Sequence, residues 1–137
     1  MENIVPFELV EMEAGTFHIL VKAEFGEENE GWWVIDTGAS KSVIDQNRVE
    51  LYRLDDTSGI SAKGLGKDIV ETGSAIIPEI RFKGISYGPI SVATVDLHHI
   101  NSEYSKFSDK RIVGLLGSDF LLKNNATISY GEKLLII

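Results

Sequence analysis

Three features of the sequence predict an all-β domain. Short apolar runs are punctuated by thirteen glycines and three prolines, the pattern of strands joined by turns. Residues 16–25 alternate: Phe17, Ile19, Val21, Ala23 and Phe25 share one face, His18, Lys22 and Glu24 the other, and only Leu20 breaks the rule. The chain of 137 residues is 43% hydrophobic and 25% charged, so it can bury one core and is expected to form one domain over 1–137.

Taken in order, strands are expected over 5–12, 16–25, 32–36, 69–77, 80–82, 90–95, 127–130 and 133–137. The acidic stretch 26–31 is expected to be a solvated turn ahead of the third-strand candidate, Trp32 to Asp36. Two short helical pieces are expected. Asp45 can cap a turn running to Leu51. Residues 118–123 form a helix that starts at a capping serine and closes at Asn124 and Asn125, either of which tolerates a left-handed backbone. Residues 98–110 are polar without clear period and are expected to be a surface connection. The adjacent Trp32 and Trp33 point to opposite sides of a strand, so one belongs to the core and the other to surface or interface.

Charge and composition exclude several function classes. Thirteen basic against twenty-one acidic side chains leave a net charge of −8, which opposes phosphate-driven nucleic-acid binding and docking on an anionic membrane. With no cysteine, disulfides, thiolate nucleophiles and Cys-ligated metal sites are absent. His98 and His99 lack a third ligand and read as a solvated pair, and His18 reads as an ordinary polar-face residue. The first residues, acidic and without an uninterrupted apolar core, do not form a secretory signal. A cytoplasmic protein is the expectation, with a processed or exported form left open.

The informative stretch is Trp32-Trp33-Val34-Ile35-Asp36-Thr37-Gly38-Ala39-Ser40. Aspartate is disfavoured in strands and costs desolvation beside Ile35 unless donors surround it. Gly38 is expected to allow a sharp turn that brings an amide to the carboxylate, and the Thr37 hydroxyl to hold the loop. A carboxylate at a strand end on a rigid loop is a way to place an acid or base.

This stretch resembles the Asp-Thr-Gly-Ala/Ser signature of the retropepsin-like aspartic proteases, in particular single-domain members of bacterial type. Two further elements follow in the family's order. Ser61-Ala62-Lys63-Gly64-Leu65-Gly66-Lys67 is similar to the flap, a hairpin that closes over bound peptide, with Lys63, Gly64, Leu65 and Gly66 at its tip. Ile112-Val113-Gly114-Leu115-Leu116-Gly117, leading into Ser118-Asp119-Phe120, is similar to the apolar-apolar-Gly motif. In the family, Leu115, Leu116 and Gly117 would thread the loop that carries the aspartate. The resemblance spans roughly Val5 to Tyr130 and implies a retropepsin-like closed β-barrel with one or two short helices.

The resemblance also implies a function. Asp36 would be the catalytic residue, supported by Thr37, Gly38, Ala39 and Ser40, in an endopeptidase that uses neither metal nor cofactor. Carboxylate hydrolysis needs two acids sharing a proton, and this chain carries one such signature. Asp55-Asp56-Thr57-Ser58-Gly59 is not a second copy, because a serine separates threonine from glycine. A homodimer contributing two Asp36 is therefore expected, with an extended peptide or protein as substrate. The N-terminal strand and the apolar tail 133–137 are expected at its interface. Alanine at 39 has no hydroxyl to offer the carboxylate, which implies work at weakly acidic pH. Residues 96–111 exceed their retroviral counterpart and suggest an insertion near the cleft. The rival readings are a catalytically silent dimerisation or peptide-binding module on the same fold, and a β-rich structural protein whose motif match is accidental.

Overall fold

The computed structural model describes residues 2–27, 29–48, 53–55, 60–61 and 70–137. Its strands are β1 (Ile4–Pro6), β2 (Glu8–Glu13), β3 (Thr16–Phe25), β4 (Asn29–Ile35), β5 (Val43–Asp45), β6 (Arg53–Asp55), β7 (Ile60–Ser61), β8 (Val70–Ile77), β9 (Ile80–Phe82), β10 (Ile85–Tyr87), β11 (Ile90–Val95), β12 (Ile112–Leu116), β13 (Thr127–Ser129) and β14 (Leu134–Ile136). Two short helices, α1 (His98–Tyr104) and α2 (Ser118–Lys123), flank β12, and a 3₁₀ turn covers Gln46–Arg48. Among the described residues no helix is long and apolar enough to cross a membrane.

Among the described residues, eleven strands form one curled sheet in the order β10-β9-β3-β4-β12-β5-β11-β8-β6, with β2 added on β3 and β7 on β8. The long antiparallel pair β3–β4, with Ile19 opposite Ile35 and Phe25 opposite Asn29, is its spine. The decisive placement is that of β12. It runs parallel to β4, Leu116 beside Ile35, and antiparallel to β5, Leu115 beside Val43. The last strand of the motif thus lies between two strands that follow one another in the chain. Whatever joins β4 to β5 must cross over the end of β12.

Both faces of the middle of this sheet are buried. Ile19, Val21, Ala23, Phe25, Trp33 and Ile35 belong to the larger core with Phe82, Phe120 and Leu135. Leu20, Val34, Val43, Ile112 and Leu115 belong to a second cluster, with Val95, Leu97 and Tyr104. That second cluster accounts for Leu20, the residue that broke the alternation. It also corrects the expectation for 98–110. Within this stretch α1 packs Tyr104, and with it Ile100, against the outer face of the sheet. The signal was present in the apolar spacing Leu97, Ile100, Tyr104, close to one helical face, and in Asp96, whose Oδ1 accepts the His98 amide at 2.9 Å.

Elsewhere the expected elements are largely observed, with shifts that have local causes. The first strand breaks at Phe7 into β1 and β2, which join different sheets. The turn after Asp45 starts at that side chain, whose Oδ1 accepts the Asn47 amide at 3.3 Å, and covers Gln46–Arg48; its expected continuation to Leu51 lies outside the described residues, and β5 precedes it. Helix α2 closes at Asn125, with φ 49°. Trp33 is fully buried, edge-on to Phe25 at 5.6 Å, while Trp32 is half-buried under the Lys110 ammonium at 5.1 Å. Phe17 is exposed rather than buried with its alternating partners, because it lies at the open rim of the cleft. The apolar tail pairs within its own chain: β14 lies between β1 and β13, and Leu135 is fully buried. Both edges of the tail strand are therefore occupied within the chain, and among the described residues β1 and β13 form the outer edges of that small sheet.

Candidate active site

Asp36 follows directly on the buried end of β4, Trp33-Val34-Ile35, and is itself half-exposed. Strand pairing on both sides of β4 sets its backbone. The Asp36 amide donates to the Leu116 carbonyl at 2.9 Å, the Ala39 amide donates to the Asp36 carbonyl at 3.1 Å, and the Gly38 amide donates to Asp36 Oδ1 at 3.1 Å. The expected amide donor for the carboxylate is therefore in place. Gly38 is not among the residues with positive φ, so the turn does not need glycine for its backbone conformation. A Cβ at 38 would instead touch Asp36 Oδ1 at 3.5 Å, and glycine leaves that side of the carboxylate open. Thr37 and Ser40 are exposed on this loop, and Ala39 is fully buried beneath it.

The crossing of residues 36–42 over β12 is tight and polar. The Ser118 amide donates to the Ala39 carbonyl at 2.8 Å, and a Cβ on Gly117 would lie 2.5 Å from that same oxygen and 3.1 Å from the Lys41 carbonyl carbon. Only glycine permits this approach. Beneath it, the fully buried Ser42 closes a network: its hydroxyl donates to Asp119 Oδ1 at 2.7 Å and accepts from the Gly117 amide at 2.9 Å, while its own amide donates to Asp119 Oδ2 at 3.0 Å. The carboxylate of α2 thus satisfies three groups of the loop and crossing that would otherwise be buried without partners, directly or through the serine. Bonds to a charged group contribute about 1.5–3 kcal/mol each. Ser42 and Asp119 were not singled out in the sequence as site residues, because their meeting depends on the crossing itself.

In front of Asp36 lies a cleft of about 460 Å³ lined by Met12, Phe17, His18, Ile19, Val34, Ile35, Asp36, Ile100, Glu103, Tyr104, Leu115 and Tyr130. Its floor is apolar sheet and its wall is α1. The segment 96–111 therefore reaches the cleft, as its extra length suggested. Two hydrogen bonds fix α1 to the sheet. Asn101 pairs with the backbone of Ile112 like an added strand residue, Nδ2 to the carbonyl at 2.8 Å and the amide to Oδ1 at 2.7 Å. Tyr104, buried, shares a hydrogen bond with His18 Nδ1, their rings edge-on at 5.5 Å. Burial, and secondarily the Asp36 charge, push the Tyr104 phenol well above the usual tyrosine range. Glu103 at the rim is ion-paired with Lys106 at 3.3 Å. Phe17 and Tyr130 stand exposed at the cleft mouth, 53% and 62% accessible, as bare aromatic surface beside the carboxylate.

The structure thus brings together Asp36, Thr37, Gly38, Ala39 and Ser40 with Leu115, Leu116 and Gly117. The flap residues Lys63, Gly64, Leu65 and Gly66 lie outside the described residues. His18, read from sequence as ordinary, lies in the cleft.

Comparison with known proteins places this geometry. The family model described as aspartyl protease matches residues 21–120, from β3 through the threaded loop to α2. A comparison with curated proteins finds no match. Among solved structures, the chain is similar to the retroviral protease-like domain of Ddi1 from Leishmania major, with 15% identity and a TM-score of 0.60 over 86% of each chain. It is also similar to a retropepsin-like aspartic protease from Rickettsia conorii, with 18% identity and a TM-score of 0.56 over 99% of this chain and 88% of the other. These likenesses establish a retropepsin-like fold. A model match that covers well over half the chain and encloses both the Asp36 loop and the strand that threads it makes this chain a member of the aspartyl protease family.

Proposed function

We propose that this chain, as one domain over 1–137, is an aspartic endopeptidase that works as a homodimer, each protomer contributing Asp36 to a shared dyad. The observation that carries the reading is the Asp36 loop: a half-exposed carboxylate, given one amide donor and locked from beneath by the Gly117 crossing and the Ser42–Asp119 network. Such rigidity behind a carboxylate that stays half-exposed supports a catalytic group rather than a structural one. One protomer supplies one such acid, so the chemistry calls for a second copy about a two-fold axis. The exposed Phe17 and Tyr130 beside Asp36 offer apolar surface for that partner.

In the dyad, two carboxylates too close to ionise together hold one proton between them. The charged member takes a proton from a water, which attacks the scissile carbonyl. The protonated member polarises the carbonyl oxygen and then protonates the leaving amine. Thr37, exposed at the loop tip, would bond across the axis to the partner loop. Ala39 offers no hydroxyl to the carboxylate, in keeping with activity at weakly acidic pH. Lys63, Gly64, Leu65 and Gly66 would close over an extended peptide whose backbone pairs with strand edges.

The test is incubation of wild type and Asp36→Asn with an unbiased peptide mixture across pH 3–8, with the oligomeric state followed by sedimentation. Wild type is expected to cleave as a dimer, and the variant to lose at least about a hundredfold, the lower end for removing an acid–base group. Peptide binding or dimerisation without cleavage would replace the enzyme with a silent module. A monomer at all concentrations would remove the dyad.

A further inference from the structure

The wall of the cleft holds a polar pair that the dyad chemistry does not use. Tyr104 is the buried residue of α1 and His18 lies on β3, eighty-six positions away in sequence, and they share a hydrogen bond beside Asp36. A phenol has one hydrogen. A neutral imidazole nitrogen either donates or accepts, whereas in the charged ring both nitrogens donate. We propose that the His18–Tyr104 pair is a reversible substrate-positioning couple, in which neutral His18 holds the Tyr104 hydroxyl hydrogen and protonated His18 releases it toward the cleft.

The proton count is simple. At higher pH His18 Nδ1 accepts from the Tyr104 hydroxyl, and the phenol hydrogen is committed to the wall. On acidification His18 takes one proton from solvent at Nδ1, that N–H now donates to the phenol oxygen, and the hydroxyl hydrogen must turn elsewhere. The open direction is the cleft, where an extended peptide presents backbone carbonyls. Tyr104 stays neutral throughout, consistent with the upward push on its phenol. The other ionisable groups facing the cleft are Asp36 at the end of β4, Glu103 of α1 with its partner Lys106, and Tyr130 after β13. From β2, the residue opposite His18 is Val10, and Met12 also lines the cleft; the charged residue on that face of β2 is Glu8, two positions from Val10 and ion-paired with Lys110 at 3.5 Å.

This inference rests on the protease reading for its substrate, and the experiment separates the two. Peptide KM and kcat are measured from pH 5 to 8 for wild type, Tyr104→Phe and His18→Leu, and each variant is compared with wild type at the same pH so that the dyad's own titration cancels. Tyr104→Phe should raise KM roughly three- to tenfold at pH 5, one neutral hydrogen bond's worth, and converge on wild type at pH 8. His18→Leu should match wild type at pH 5 and show the lower KM at pH 8, because its phenol hydrogen is never held back. In both variants kcat should change much less than KM. A structural role alone would raise KM in both at every pH, and ratios that do not vary with pH overturn the proposal. Ring-nitrogen NMR shifts of His18 provide the arm that needs no turnover. Unprotonated Nδ1 at pH 8, gaining its proton on acidification, is expected, and a protonated Nδ1 at pH 8 overturns the couple. If wild type cleaves nothing, the protease reading falls and these shifts still decide the couple.

Discussion

The loop that carries Asp36 and the helix that carries Tyr104 face the same cleft, yet they are held by different means. The loop is tied by backbone bonds to Leu116 and Ser118, by a glycine with no room for a methyl group, and by a half-buried carboxylate bonded to the buried Ser42. Helix α1 is seven residues long and rests on Leu97 and Tyr104, on the Asn101–Ile112 pairing and on one bond to His18. Backbone and charge-assisted bonds in a buried setting admit one arrangement. Apolar packing on a sheet face admits several residues of similar shape. Under the proposed function, the side that would place an acid is built the first way and the side that would contact substrate the second, which would leave the wall free to differ without disturbing the Asp36 loop.

The contrast can be broken most severely at Gly117. Gly117→Ala places a methyl carbon against the Ala39 carbonyl, and overpacking a backbone crossing should cost about 3 kcal/mol, read by urea unfolding, with cleavage lost. A fully stable, active variant would show that the crossing can relax to admit a methyl group. Asp119→Ala comes next. It strips the Ser42 amide and hydroxyl of their acceptor and should cost about 2–3 kcal/mol, with kcat falling because the loop shifts.

On the other wall the effects should be smaller and of a different kind. Asn101→Ala leaves the Ile112 amide and carbonyl without the side chain they bond. A loss of roughly 1–2 kcal/mol is expected, with amide exchange rising in α1 while the Asp36 loop stays protected. Exchange rising equally in both would erase the distinction between the walls. The smallest effect is alkaline. Because the folded state raises the Tyr104 phenol, the unfolded chain, whose tyrosines ionise near pH 10, loses that proton first as pH rises. The stabilisation is fully present below about pH 10 and is lost above it, by up to about 1.4 kcal/mol per pH unit. Tyr104→Phe should remove that part of the slope in melts between pH 9 and 11, and an unchanged slope would place the phenol in water.

Much of this was legible along the chain. The alternation of residues 16–25, the strand ending at Asp36 and the α2 helix closing at Asn125 are local patterns, set by periodicity and by the few residues that tolerate a left-handed backbone. The misreading of 98–110 arose because α1 is short and shows only a narrow apolar stripe, too few residues for a period to stand out. Leu20 and Phe17 went against their alternation for one shared reason. Alternation assumes one wet face and one dry face, whereas α1 covers the outer face over Leu20 and the cleft opens beside Phe17.

The sequence by itself determined that this is a β-rich chain, where several of its strands begin and end, and that a carboxylate stands at the end of one of them. Tertiary structure alone decided that β12 slips between β4 and β5, that Asp119 reaches Ser42, that His18 meets Tyr104, and that the tail strand is enclosed by its own chain. Periodicity and turn chemistry act between residues a few positions apart, so they leave a trace in any short window. Apart from the local pairing of β13 with β14, these later contacts join residues seventy or more positions apart, and their cost in chain entropy is met only when the whole sheet closes at once.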